Sequence, residues 1–153
     1  MPILLPDLVR GLDMSLRQLL VYVHQETGKL LAFTKEDFAE AAVLAPLEHD
    51  YLPEGIAFAH QVLQDEHWLR LPGRQEVSEY EMMRRFVERV VVNEQKVEAL
   101  NRVLASGFAE MRWETTLLSL NLKDDWFRFR RQMLRLAMQN WCLQQGLAWE
   151  DDH

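Results

Sequence analysis

Hydrophobic positions recur at two spacings along this chain: close to every second residue in three short stretches, and every three to four residues elsewhere. Residues 18–24 and 29–33 are apolar strand-like runs separated by Gln25-Glu26-Thr27-Gly28. That pattern predicts a β-hairpin, with Gly28 supplying the positive φ its turn requires. Residues 68–71 alternate and are ended by Pro72-Gly73, which predicts a third strand. A lone hairpin is marginal in water, so the third strand and covering helices would let it persist.

The remaining pattern is helical. Leu8, Val9 and Leu12 point to a short helix near residues 6–12, with Gly11 and Asp13 as poor continuers that should end it. Thr34 is placed to cap a helix with Asp37 three residues on and Phe38, Ala41 and Ala42 inward; Ala45-Pro46 should stop it, and residues 47–52 read as a loop. Pro53 fits the first turn of a helix in which Ile56, Ala57, His60, Leu63 and Gln64 share one face. Ser78 and Glu81 form a capping box ahead of Met82, Met83, Phe86, Val87 and Val90. Asn93 caps a helix through Val97, Leu100, Val103 and Leu104 that closes near Gly107.

Residues 107–146 carry the aromatic anchors Trp113, Trp126, Phe127, Phe129 and Trp141. They predict two helices joined by a polar hinge at residues 121–125, the second with an inward stripe of Trp126, Phe129, Met133, Ala137 and Trp141. The expected fold is α+β and mostly helical: a small three-stranded antiparallel sheet against six or seven helices, the last two supplying most of the core. Residues 1–149 read as one globular domain, and residues 150–153 as an acidic tail expected to be flexible.

Charge refines this picture. The chain has 153 residues and a net charge of -7. Acids exceed bases by six over residues 1–72, whereas bases exceed acids by two over residues 73–149. The acidic total disfavours nucleic-acid binding as the main task, while a locally basic surface in the second half stays open. The lone cysteine, Cys142, cannot form an internal disulfide and suits a reducing compartment; beside Trp141 in a helix it reads as buried and structural. With no leader pattern and no apolar run long enough to span a bilayer, the expectation is a complete cytoplasmic protein without membrane association.

Candidate chemistry is sparse. Arg128, Arg131 and Arg135 share a face of the last helix, with Arg130 turned to its apolar side, and Arg84, Arg85 and Arg89 cluster on an earlier one. Guanidinium groups there could grip phosphate or an acidic partner, although a solvated face paired with nearby acids explains them as well. His49, His60 and His67 lie in one region with Asp50, Asp65 and Glu66. His60 and His67 are about 10 Å apart along a helix, too far to share one ion, and no metal-ligand motif is present. No catalytic residue, cofactor site or metal site is assigned from the sequence, and no phosphate-binding loop, dinucleotide fingerprint or nucleophile elbow occurs.

One resemblance runs along the chain. Leu120-Asn121-Leu122, then Trp126-Phe127-Arg128-Phe129, then Trp141-Cys142 with Gln144-Gln145-Gly146-Leu147 is similar to the closing signature of the uncharacterised bacterial protein family numbered 0158. Glu26-Thr27-Gly28 at a hairpin turn, Leu71-Pro72 and Glu79-Tyr80-Glu81-Met82-Met83 follow the family's order as well. The chain departs at Gly107-Phe108-Ala109-Glu110-Met111-Arg112-Trp113-Glu114, where the family carries more basic residues. The resemblance implies a shared fold and brings no established activity. The leading expectation is therefore a small cytoplasmic interaction or regulatory protein, non-catalytic, with an unidentified protein partner. Its contact surface would be the arginine row or an apolar patch at residues 19–21. Nucleic-acid binding through the arginines is the alternative, and a metal-dependent enzyme using acids near Asp65 and Glu66 a weaker one.

Overall fold

A computed structural model describes residues 2–43 and 52–151. The fold is α+β, in the order α1 (Leu5–Leu16), β1 (Leu20–His24), β2 (Leu30–Phe33), α2 (Lys35–Val43), α3 (Glu54–Leu63), β3 (Trp68–Arg70), α4 (Glu79–Arg89), α5 (Glu94–Ala105), α6 (Ala109–Ser119) and α7 (Lys123–Gln145). The chain forms two compact units, one of residues 1–77 with 134–153, the other of residues 78–133. The predicted stop at Ala45-Pro46 and most of the loop at 47–52 lie outside the described residues.

In the first unit the sheet runs β2-β1-β3, antiparallel throughout. Val21 pairs with Ala32 on one side, and Tyr22 faces Leu31 on that side and Arg70 on the other. Val21 and Val23 are fully buried. Leu20, Leu31 and Phe33 pack with Ala41 of α2 and with Ala59 and Val62 of α3. Tyr22, Phe33 and Phe38 stack with ring centroids 5.6–6.4 Å apart. Gly28 takes the predicted positive φ, of 73°, and a β-carbon there would stand 2.6 Å from the Pro2 carbonyl.

Three expectations for this unit need correction. α1 does not end at Gly11 or Asp13; it continues to Leu16 because Leu71 and Val21 close over Gly11, and the packing outweighs a propensity cost of about 1 kcal/mol. The buried face of α3 is Ala59 and Val62, with Leu63 45% exposed, so the face is rotated from the predicted one. Leu20 and Val21 are core rather than contact surface. In addition, Glu150 is hydrogen-bonded to both Ile3 and Leu5, and Asp151 pairs with Arg135, so these two residues of the expected tail are held.

The second unit is built round an aromatic cluster. Phe86 meets Trp113 and Trp126 edge-on at 6.1 and 5.4 Å, Trp113 meets Trp126 at 5.1 Å, and Phe129 completes the group. Ser78 and Asn93 cap α4 and α5 as predicted, accepting from Glu81 N and Lys96 N. Glu81 does not reach back to close the capping box; its carboxylate lies beside Arg84 and Arg85 instead. Phe127 is on the outer surface, 37% exposed, with the Lys123 ammonium over its ring. Arg130 turns inward and meets the Glu79 carboxylate through two nitrogens, at 2.5 and 3.3 Å. In the first unit, the later part of α7 buries Leu134, Met138, Trp141 and Cys142 rather than Met133 and Ala137.

Three helices end alike. After α1, α6 and α7 a residue with positive φ follows the cap, and the next N–H returns to the carbonyl five residues earlier: Leu19 to Met14, Leu122 to Leu117, and Leu147 to Cys142. These are Schellman endings, normally glycine's place. Gly146 fits and Asn121 is tolerated, but at α1 the position holds Gln18 at φ 75°. Gln18→Gly should therefore raise stability by about 1 kcal/mol, read from the denaturant midpoint. Glu79→Gln should lower it by roughly 1–3 kcal/mol, because one side of the shielded Arg130–Glu79 pair loses its charge.

Candidate functional site

Four of the six predicted arginines stand beside carboxylates, three of them on their own helices. Arg84 lies 3.1 Å from Glu81 and 3.5 Å from Glu88, and Arg85 3.4 Å from Glu81. Arg128 is 3.6 Å from Asp125, and Arg135 is 2.9 Å from Asp151. Among the described residues, no carboxylate is within ion-pair distance of Arg89 or Arg131, both exposed. Spacings of three and four residues produce most of these pairs, as helix geometry dictates. At this exposure each contributes little, and its main effect is to lower the local positive potential.

A different surface stands out in the second unit. Where α5 passes into α6, Phe108 is 56% and Met111 78% exposed. They border a recess of about 420 Å³ whose walls include Tyr80, Met83 and Leu104. The Arg112 guanidinium lies 5.7 Å above the Phe108 ring. Gly107, at φ 79°, makes the turn that presents this corner.

The densest chemistry lies in the first unit and includes a residue absent from the sequence candidates. His24, the last residue of β1, is buried and meets Asp65 from the segment between α3 and β3, which also carries His67. Asp65 Oδ2 is 2.9 Å from His24 Nε2, and Asp65 Oδ1 is 2.7 Å from His67 Nδ1. The same Oδ1 accepts the backbone N–H of His67 at 2.9 Å. His24 lies 41 residues from Asp65, so helical or strand periodicity could not have joined them.

Protonation follows from the partners. His24 Nδ1 accepts the backbone N–H groups of Glu26 and Thr27, at 3.2 and 3.3 Å, so its own proton sits on Nε2 and is donated to Asp65. One ligand atom from each of His24, Asp65 and His67 fits within 4.8 Å of the others, a spacing open to a metal ion. Ligation by His24 Nε2 would require moving that proton onto Nδ1, against two N–H donors. The donor set therefore fits hydrogen bonding better than a three-ligand centre. His60 bonds Gln64, Glu66 is exposed, and His49 and Asp50 lie outside the described residues.

Two pKa values respond. The His67 backbone N–H, then the side chains of His24 and His67, hold the Asp65 carboxyl well below the usual carboxylate range. The Asp65 hydrogen bond, then the charge of Glu26 at 3.4 Å, raises His67 above its ordinary value. His67 borders a groove of about 520 Å³ shared with Glu26, Leu147 and Trp149. An imidazole so oriented can take or release a proton, and the described residues that line the groove with it include no serine, threonine, cysteine or lysine. Burial pushes the Cys142 thiol up, consistent with a structural role.

No family model, curated protein or solved structure matches the chain.

The shifts fix a pH dependence. The contribution of His67 is fully present below its ordinary 6.5 and is lost as pH rises through its raised folded value. That of Asp65 is present above 3.8 and is lost as pH falls through its lowered value. The stability gap between the wild type and Asp65→Asn should therefore be widest between about pH 4 and 6.5 and narrow towards pH 9. Urea titrations across that range check it; a gap constant with pH would contradict the assignment.

Proposed function

We propose that this chain is a small cytoplasmic interaction protein without catalytic activity, and that a protein partner seats an apolar side chain against Phe108 and Met111. The observation carrying this reading is the exposure of these two side chains beside a recess, with Arg112 held over the phenyl ring. Phenylalanine, methionine and arginine are enriched at interfaces, and an exposed apolar recess forgoes burial worth roughly 1.5–3 kcal/mol per large side chain.

Protein recognition is preferred to nucleic-acid binding because Arg84, Arg85, Arg128 and Arg135 stand beside carboxylates. It is preferred to metal-dependent catalysis because His24 already commits both ring nitrogens.

The test compares affinity capture by the wild type and by Met111→Lys, with circular dichroism to verify folding. A partner retained by the wild type should fall at least tenfold with the variant, about 1.4 kcal/mol. Equal recovery by both proteins, or turnover of a substrate in a hydrolase and phosphatase screen, would count against the proposal.

A further inference from the structure

In the first unit Lys35 lines one recess with Arg70 and Arg74, which lie more than thirty residues further along the chain. The recess, of about 370 Å³, is lined by Ser15, Gln18, Lys35, Arg70, Arg74 and Glu76, among others. They come from the last turn of α1, the link to β1, the start of α2, the end of β3 and the turn after it. Elsewhere in the unit, Arg10, Arg17 and Arg135 each stand beside a carboxylate. Lys35, Arg70 and Arg74 have none within ion-pair distance among the described residues, although acids outnumber bases in this part of the chain. Three cations line the recess against one acid, Glu76, and the excess positive charge is relieved when an anion enters.

The recess is also partly preset. The Arg74 Nε donates to the Leu16 carbonyl at 2.7 Å, which anchors that guanidinium and leaves its terminal nitrogens for another acceptor. Glu76 Oε2 accepts the Gly73 N–H at 2.9 Å, and the Ser15 hydroxyl donates to the Pro72 carbonyl at 2.7 Å; both fix the turn. A β-carbon on Gly73 would stand 3.6 Å from Ser15 Oγ, 3.7 Å from Glu76 Oε2 and 3.9 Å from an Arg70 terminal nitrogen, so polar atoms of three segments meet over this glycine. Gln18 borders the recess in its left-handed conformation, which a residue other than glycine holds at a cost.

We infer that this recess binds the phosphate group of a small phosphomonoester. Three cations offset by Glu76 leave a local charge of about +2, matching a phosphate dianion better than a single carboxylate. Guanidinium groups pair bidentately with phosphate oxygens, and Lys35 adds a mobile point charge. The volume falls at the lower end of small-ligand sites, which suits a phosphorylated metabolite rather than a polynucleotide.

The experiment is calorimetric titration of the full chain at low salt with inorganic phosphate, a nucleoside monophosphate and a hexose phosphate, beside the unphosphorylated nucleoside and hexose. Binding of the phosphate compounds and not of their parents is expected. Arg70→Ala and Lys35→Ala should each weaken it by about tenfold. Met111→Lys should leave it unchanged, which separates this site from the proposed partner surface. The Arg70 and Lys35 side chains are exposed and make no ion pair among the described residues, so both variants should melt like the wild type. Absence of heat with every phosphate compound, equal affinity for the parents, or affinity unchanged in both cationic variants would overturn the assignment.

Discussion

In the first unit, most depends on β1 being hydrogen-bonded along both edges. Its pairing with β2 and β3 fixes register twice, so Val21 and Val23 face the interior and cannot slip by one residue without turning to the other face. The same constraint positions both ends of the strand. His24 is delivered to Asp65 and His67 at one end; at the other, Gln18 is left at the α1–β1 junction with Arg70, the last residue of β3, at the same recess. Two polar sites are thus set by one central strand.

Electrostatics follows two regimes. Where arginines lie on helices rich in acids, helix geometry supplies partners three or four residues away, as for Arg84 with Glu81 and Arg128 with Asp125. Such pairs are local and screened. Arg130 and Glu79 differ: 51 residues apart and mostly shielded, they use a bidentate contact to compensate for lost hydration. Asp65 goes further, accepting from a backbone N–H and two imidazoles at once, so one carboxylate holds the segment before β3 to the end of β1.

Much of the fold was legible because its signals are local. Gly28 in the hairpin turn, the Thr34–Asp37 pair and the Ser78 and Asn93 caps each act within four residues, and each stands as predicted. Propensity alone would end α1 at Gly11, because it does not include Leu71 and Val21 closing over that residue. The face of α3 is not legible in the sequence, because its apolar residues lie on more than one side and only the sheet decides which side is buried. The arginine row was visible, as were the acids beside it.

The amino-acid sequence by itself determined the elements: where helices begin, where the hairpin turns, and which stripes are apolar. Those outcomes rest on interactions between residues a few positions apart, whose geometry is set by the backbone. Tertiary structure alone decided which distant residues meet. His24 with Asp65 and His67, and Lys35 with Arg70 and Arg74, come together because strands and helices pack their apolar faces. The polar groups at the element ends are carried to wherever that packing leaves them.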